Sequence, residues 1–170
     1  MQIHTPSSQS IQTIVEDTSE LLSSNHKSIA FAESATAGYL MASFACVKYS
    51  AVLKGGIVCH DPIIKTSLLN IDPKLVDLYS AESIPVTEAI TEGLSAIMAA
   101  DIHIGLTGLL KPGGSESKEK PVGTFYICLM GNQEKITRKL SCHGSASEIR
   151  QQVLHHTCML LVEYLSGSTL

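Results

Sequence analysis

Short apolar runs alternate along this chain with longer segments of helical periodicity, and this alternation constrains the fold more than any other feature. The apolar runs predict strands, and apolar residues repeated every three or four positions predict helices. The predicted strands cover residues 28–32, 54–58, 101–108, 122–130 and 134–141. The predicted helices cover residues 8–25, 37–47, 61–69, 72–80, 86–100 and 146–165. Alternating elements that end in two adjacent strands predict an α/β fold, a three-layer α/β/α sandwich with a mixed sheet.

The size, charge and hydrophobicity of the chain limit the number of domains and the classes of partner that we expect. A chain of 170 residues with 44% hydrophobic content predicts a single domain, and its core spans about residues 10–165. The net charge of -4 and the lack of a basic block argue against a nucleic-acid partner. The apolar runs are much shorter than the roughly 20 residues of a membrane span. The first ten residues also lack the basic and apolar regions of a signal peptide.

The cysteines are widely spaced, and none belongs to a C-x-x-C motif. Their number is odd, which predicts free and mostly buried thiols in a reducing cytoplasm. Paired Cys-His and His-His dipeptides occur, but no spacing between them matches a zinc site. We therefore expect neither a metal nor a cofactor.

The first candidate for chemistry is "AESATAG" at residues 32–38, where a predicted strand turns into a helix. Backbone N–H groups at a helix start can hold an oxyanion, and a serine there can attack a carbonyl if a base activates it. Ser34 is the candidate nucleophile. The alternative is that Ser34 or Thr36 caps the following helix.

A second candidate, "KGGIVCHDPIIK" at residues 54–65, places His60 and Lys65 just after the next strand. A lysine desolvated beside Ile63 and Ile64 could lose its proton and act as a base. The alternative is a solvated lysine on a short helix. His60 is either a second acid–base group or a polar residue at a strand end.

The third stretch, "GLTGLLKPGG" at residues 105–114, ends a strand and continues into glycines. Glycine amides can approach a phosphate or a carboxamide closely, since no side chain stands in the way. The spacing fits neither the Walker A motif nor G-x-G-x-x-G. The alternative is a flexible surface loop.

These stretches, in this order, resemble the C-terminal domain family of the competence/damage-inducible protein CinA, which also occurs alone as nicotinamide-nucleotide amidase. The family pattern reads roughly A-E-S-C-T-G-G, G-G-V-V-S-Y-x-N-x-x-K, V-T-G-I-A-G-P-G-G and K-P-V-G-T-V. Its counterparts here are "AESATAG", "GGIVCHDPIIK", "LTGLLKPGG" and "KPVGTF". The likeness covers about residues 10–165.

The resemblance implies that nicotinamide mononucleotide is hydrolysed to nicotinate mononucleotide and ammonia without a metal. It implies that Ser34 is the nucleophile and Lys65 its base. His60 is kept as a third candidate catalytic residue because of its own acid–base chemistry, since the family has a tyrosine at that position. Amides around Thr36, Ala37 and Gly38 are expected to stabilise the oxyanion, and the later glycine block is expected to hold phosphate and ribose. The candidate substrate-binding residues are Glu33, Thr36, Ala37, Gly38, Thr107, Gly108, Gly113, Gly114 and Arg150.

Several positions depart from the family pattern: Ala35, Ala37, His60, Pro62, Leu110, Lys111 and Ala146. The last replaces the arginine of a G-D-R motif, and Arg150, one helical turn on, is the candidate substitute. These departures keep a second hypothesis open, a relative that lost the reaction and serves as a nucleotide-binding or assembly protein. The resemblance also implies a homo-oligomer, in which the small-residue helix 37–47 forms an interface or packs inside.

Overall fold

The computed structural model describes residues 10–132 and 134–167, which form a five-stranded mixed sheet in the order β2-β1-β3-β4-β5. The strands are β1 (Ile29–Glu33), β2 (Leu53–Val58), β3 (Ile102–Gly108), β4 (Thr124–Gly131) and β5 (Glu134–Ser141). Strand β1 pairs in parallel with β2 and β3, whereas β3–β4 and β4–β5 are antiparallel. The predicted mixed sheet is therefore confirmed.

Six helices flank the sheet in the described residues: α1 (Ile11–Ser24), α2 (Tyr39–Ala45), α3 (Pro62–Ser67), α4 (Pro73–Tyr79), α5 (Ile84–Ile97) and α6 (Ala146–Ser166). A short 3-10 turn at Ser50–Val52, which was not predicted, precedes β2. Residues 1–9 lie outside the described residues. They include the first two residues of the helix predicted at 8–25 and all but the last residue of the segment that was tested for a signal peptide. None of the described helices is both long and apolar enough to cross a membrane.

The helices form two layers, which completes the predicted three-layer sandwich. Helices α1, α2 and α6 cover one face of the sheet, and α3, α4 and α5 cover the other. Strand β1 shows how one strand serves both layers, because its side chains alternate between the faces. Phe31 packs on Phe44 with ring centroids 5.4 Å apart, whereas Ala30 and Ala32 belong to the core beneath α5.

The predicted starts of α3, α4 and α6 agree with the structure to within one residue, whereas α2 and α5 each start two residues away from the predicted position. Asp61 and Asp72 cap α3 and α4, each with a proline in the first turn, and Ser145 caps α6. Helix α5 was predicted to begin at residue 86 with Thr87 or a neighbour as its cap. Ser83 caps it instead and accepts from the Val86 amide, so the helix starts two residues earlier.

Helix α5 lies unusually close to the centre of the sheet because β3 carries a glycine where they meet. A β-carbon on Gly105 would lie 2.0 Å from Thr91 Oγ1 and 2.9 Å from the Thr87 carbonyl oxygen. Thr91 Oγ1 donates to that same carbonyl at 2.7 Å, and the hydroxyls of Thr87 and Thr107 are 2.7 Å apart. The contact fixes the carboxyl end of β3, next to the site described below.

We expect Gly105→Ala to lower the free energy of unfolding by about 2–3 kcal/mol, because the added methyl group overpacks the contact between α5 and β3. Urea denaturation of the variant beside the parent protein measures this loss. The double variant Thr91→Ala/Gly105→Ala removes the closest clash, so its loss should be smaller than the sum of the two single losses. Additive losses would contradict the close approach of α5 to β3.

Candidate active site

Two parallel strands bring the first two sequence motifs together at one edge of the sheet. Ser34 directly follows β1, and Cys59 directly follows β2, where its amide donates to the Glu33 carbonyl at 2.8 Å. The capping bond from the Ile63 amide to Asp61 then turns the chain into α3. This short helix carries Lys65 back beneath the turn that holds Ser34.

The structure places Lys65 Nζ 3.3 Å from Ser34 Oγ. The lysine side chain is only 2% exposed, and Ser34 is 9% exposed. Lys65 Nζ also donates to the carbonyl oxygens of Cys59 at 2.7 Å and of His60 at 3.5 Å. No carboxylate within residues 10–132 and 134–167 forms an ion pair with Lys65. The two residues that the sequence motifs singled out thus form a buried pair.

The burial of Lys65 does not come from both of the neighbours that the sequence suggested. Ile63 is 63% exposed, so it does not cover the lysine. Ile64 does pack against the apolar core beneath α5. The interpretation of Lys65 as a solvated surface residue is therefore wrong, and of the two isoleucines only Ile64 is recorded as packing against the core.

The Glu33 carboxylate organises the turn around Ser34. Its Oε2 accepts from Thr36 Oγ1 at 2.7 Å, from the Gly38 amide at 3.0 Å and from the Leu40 amide at 3.2 Å. Its Oε1 accepts from the Met41 amide at 2.8 Å. Glu33 is fully buried, so these bonds commit it to the start of α2 rather than to the substrate contact expected from the sequence.

Replacing this carboxylate should destabilise the whole protein. In Glu33→Gln, one of two acceptor oxygens becomes an N–H donor facing buried N–H and O–H groups, which we expect to cost about 2–4 kcal/mol. Thermal and urea denaturation measure the loss. Glu88→Gln, on a partly exposed carboxylate paired with Lys135, is the matched control and should change stability by less than about 1 kcal/mol. Equal effects would contradict the capping role of Glu33.

Neither Ser34 nor Thr36 caps α2, so the capping alternative is wrong. The N-cap position is Gly38, which has a φ of 89° and no side-chain cap. Ala37 also has a left-handed φ, 52°. Such a backbone favours glycine, and it strains an alanine, since the β-carbon crowds its own backbone there.

We expect Ala37→Gly to raise the free energy of unfolding by about 1 kcal/mol through relief of this strain. Ala35→Gly in the same turn is the matched control, because Ala35 has no left-handed φ in the structure. The control should lower stability by up to about 1 kcal/mol, since glycine adds freedom to the unfolded chain. Denaturation curves that show Ala37→Gly to be as destabilising as the control would contradict the strain.

Two of the amides expected to stabilise an oxyanion are already used within the protein. The Gly38 amide donates to Glu33, and the Ala37 amide donates to the Ser34 carbonyl at 3.1 Å. Within the described part of the chain, the amides of Ala35 and Thr36 donate to no protein acceptor. They are therefore the available donors in this turn, and Ala35 was not on the list predicted from the sequence.

His60 lies at the rim of the site rather than inside it. Its side chain is exposed, and its Nδ1 is 3.4 Å from the main-chain carbonyl oxygen of Ser34, not from the hydroxyl. Cys59, in contrast, is buried, and burial raises the pKa of its thiol. A thiol kept protonated is a poor nucleophile, so Cys59 does not compete with Ser34 for this chemistry.

Thr107 and Gly108 complete the neighbouring end of β3 as parts of the fold. The Thr107 side chain is fully buried and faces Thr87 on α5, so only its backbone could reach a ligand. Gly108 packs against Phe125, because a β-carbon there would lie 2.4 Å from the ring. Ser34 is tied to this strand as well, since its amide donates to the Leu106 carbonyl at 3.1 Å.

The exposed loop 109–121 places a carboxylate on the two glycine amides that were predicted to bind substrate. Gly113 and Gly114 each donate to Glu116 at 2.8 Å. Lys120 ties the same loop to the α4–α5 connection, because its Nζ donates to Ser80 Oγ at 2.7 Å. Neither Glu116 nor Lys120 was predicted from the sequence, where a carboxylate so soon after two glycines was the only available signal for Glu116.

Arg150 lies beside the start of α2, the end of that helix nearest the Ser34 turn. Its guanidinium carbon is 4.9 Å from the centre of the Tyr39 ring, a cation–π distance. Its Nε is buried and has no hydrogen-bond partner in the described part of the protein. One N–H group of the guanidinium is therefore unsatisfied within the described residues.

The described residues bring together no group of three or more His, Cys, Asp or Glu side chains that could hold a metal ion. All five cysteines are free thiols, and only Cys46 is exposed.

The helix predicted at 37–47 buries Leu40 and Phe44 but leaves Ala42 and Cys46 exposed. It therefore packs inside through one face and presents its small residues to the surface through the other.

The fold and the site define a class of protein, a three-layer α/β domain with a buried Ser–Lys pair at the carboxyl edge of two parallel strands. The sequence profile of the CinA C-terminal domain matches residues 11–165, and the chain belongs to that family. A CinA-like protein from Mycobacterium marinum is 38% identical over 126 residues, which cover 73% of this chain and 29% of the relative. A CinA-like protein from Pseudothermotoga lettingae is 30% identical over 156 residues, 91% of this chain and 38% of the relative. The chain thus spans well under half the length of these curated relatives.

Solved structures of the CinA superfamily share the fold. A protein from Klebsiella pneumoniae 700603 superposes with a TM-score of 0.87 at 22% identity, covering 94% of this chain and 99% of its own. A protein from Escherichia coli superposes with a TM-score of 0.84 at 20% identity, covering 94% of each chain. At this level of identity the likeness concerns the fold alone.

Proposed function

We propose that this protein is an amidohydrolase that converts nicotinamide mononucleotide to nicotinate mononucleotide and ammonia, with Ser34 as nucleophile and Lys65 as base. The observation that carries the proposal is the 3.3 Å separation of Lys65 Nζ and Ser34 Oγ in a buried site. A nucleophile within hydrogen-bond reach of a base that is itself held by a third group is the usual sign of an activated serine.

The surroundings of Lys65 suit an uncharged amine in the reactive state. A neutral amine has two N–H donors and one lone pair, and the site offers two carbonyl acceptors and one hydroxyl. The N–H groups would point to Cys59 and His60, which leaves the lone pair directed at the proton of Ser34.

The reaction then proceeds by two steps on Ser34. Lys65 takes the hydroxyl proton while Oγ attacks the amide carbon, and the oxyanion that forms is stabilised by the free amides of Ala35 and Thr36. The C–N bond breaks, and Lys65 returns its proton to the departing ammonia. Water, deprotonated in turn by Lys65, attacks the ester, the acyl–Oγ bond breaks, and Lys65 returns the proton to Ser34 Oγ as the carboxylate is released.

Recognition of the nucleotide is assigned to groups around this pair. The Gly113 and Gly114 amides and Arg150 are our candidates for the phosphate, and the exposed imidazole of His60 is our candidate for a contact with the pyridine ring or the ribose. Thr107 and Gly108 would contribute only backbone groups. We also infer that the enzyme acts in the cytoplasm as a homo-oligomer, with the exposed small residues of α2 as a candidate interface.

Ammonia release from nicotinamide mononucleotide by the purified protein tests the proposal. Ser34→Ala should lower kcat at least about a thousandfold. Lys65→Ala should lower it about a hundredfold to ten-thousandfold, the range for a lost general base. Lys65→Arg should be as inactive as Lys65→Ala, because a guanidinium keeps its proton.

Lys74→Arg, on an exposed lysine of the next helix, is the matched control and should keep full activity. Circular dichroism and denaturation confirm that each variant is folded. Full activity in Lys65→Arg would contradict the base role of Lys65. No turnover by the folded parent protein at high concentration would favour the alternative of a nucleotide-binding or assembly protein.

A further inference from the structure

Two adjacent glycines of the loop 109–121 already bind an anion that the chain itself supplies, the carboxylate of Glu116. Glu116 Oε1 accepts from the Gly113 amide and Oε2 accepts from the Gly114 amide, both at 2.8 Å. Each carboxylate oxygen therefore takes one of two adjacent backbone N–H groups. Successive amides that converge on one acidic group form the concave arrangement that binds phosphates and other oxyanions in many loops.

The backbone around this amide pair is open to solvent on one side. Gly113 has a φ of 99°, which side chains rarely adopt, and a β-carbon added there would meet no atom within 4 Å. Gly114 backs onto the loop instead, since a β-carbon there would lie 2.8 Å from Leu109 Cδ2. One side of the amide pair is thus supported by the protein, and the other faces the solvent.

Only the amides hold Glu116 in place. No ion pair joins its carboxylate to a cation among the described residues, and the side chain is exposed. Hydrogen bonding, first of all from Gly113, keeps the pKa of Glu116 below its usual value, so the carboxylate is charged at neutral pH. A charged group on an exposed side chain can leave the amides at little cost, since water can solvate it.

Contacts other than those of Glu116 also hold the loop in position. Lys120 Nζ donates to Ser80 Oγ and Ser115 Oγ, each at 2.7 Å, and to the Glu82 carbonyl at 3.1 Å. Ser115 Oγ donates to the Glu82 carboxylate as well. These contacts anchor the segment that follows the glycines, so the amide pair can persist when Glu116 moves away.

We propose that the Gly113–Gly114 amide pair is an oxyanion-binding site that Glu116 occupies in the absence of ligand, and that a phosphate group displaces it. Glu116 is then an intramolecular competitor that sets the affinity for phosphate-bearing ligands. The proposal deepens the proposed function, because the same amides are candidates for the nucleotide phosphate there. If Glu116 fills the site nine-tenths of the time, the apparent phosphate affinity falls roughly tenfold.

Inorganic phosphate and the amide resonances of Gly113 and Gly114 test this without any turnover. In titrations followed by ¹⁵N–¹H NMR, Glu116→Gln should bind phosphate roughly tenfold more tightly than the parent, with the largest shifts at these two amides. The measurement separates the two ideas, because a protein without amidase activity can still show this change, and an active one can fail to show it.

Two variants control for charge and for location. Glu119→Gln removes the same charge from the same loop, but Glu119 accepts from Ser117 Oγ rather than from the glycine amides, so its phosphate affinity should change less than about twofold. Adding Gly113→Ala to Glu116→Gln strains the amide pair and should abolish the gain. Equal gains in Glu116→Gln and Glu119→Gln, or a gain that survives Gly113→Ala, would overturn the proposal.

Discussion

The buried carboxylate of Glu33 is the contact on which the rest of the site depends. Glu33 is the last residue of β1, the strand between β2 and β3 in the parallel part of the sheet. Its carboxylate accepts four hydrogen bonds from the turn and helix that follow. A short helix such as α2 has few internal bonds, so its start must be held by another group. Because that group belongs to β1, the turn with Ser34 is fixed to the rigid sheet.

Lys65 reaches Ser34 by a different route, through a short helix whose start is also fixed. Asp61 caps α3 and Pro62 sets its first turn, so the helix begins directly after β2 and its last turn returns to the strand end. The lysine then meets the carbonyls of Cys59 and His60, which lie at that same strand end. Two strand ends and two capped helices thus place a nucleophile and a base within hydrogen-bond reach.

The order of strands and helices was predictable from apolar periodicity, since every predicted strand and helix has a counterpart in the described residues. The pairing of Ser34 with Lys65 was predicted from the family resemblance, and the structure shows that the parallel pairing of β1 and β2 brings the two residues together. The start of α5 was misread, although Ser83 followed by Pro85 is a recognisable helix start. A closer reading of caps would have found it.

Other features depend on backbone geometry and side-chain contacts that the predicted strands and helices did not specify. The use of Glu33 as a cap, the left-handed backbone of Ala37 and the seating of Glu116 on two glycine amides all arise after the chain has folded. The family's glycine at the position of Ala37 has a physical reason here, because the φ of 52° suits glycine better than alanine. Ala37, which departs from the family pattern, is therefore a position of backbone strain.

Trapping the covalent intermediate tests the central claim most directly. The protein is mixed with nicotinamide mononucleotide, quenched in acid within the first turnover, and examined by intact mass and peptide mapping. The account predicts an ester of nicotinate mononucleotide on Ser34, formed as ammonia is released and not formed in Lys65→Arg. Ammonia released in the first turnover with no ester on Ser34 at any time would contradict it, since water would then attack the amide directly.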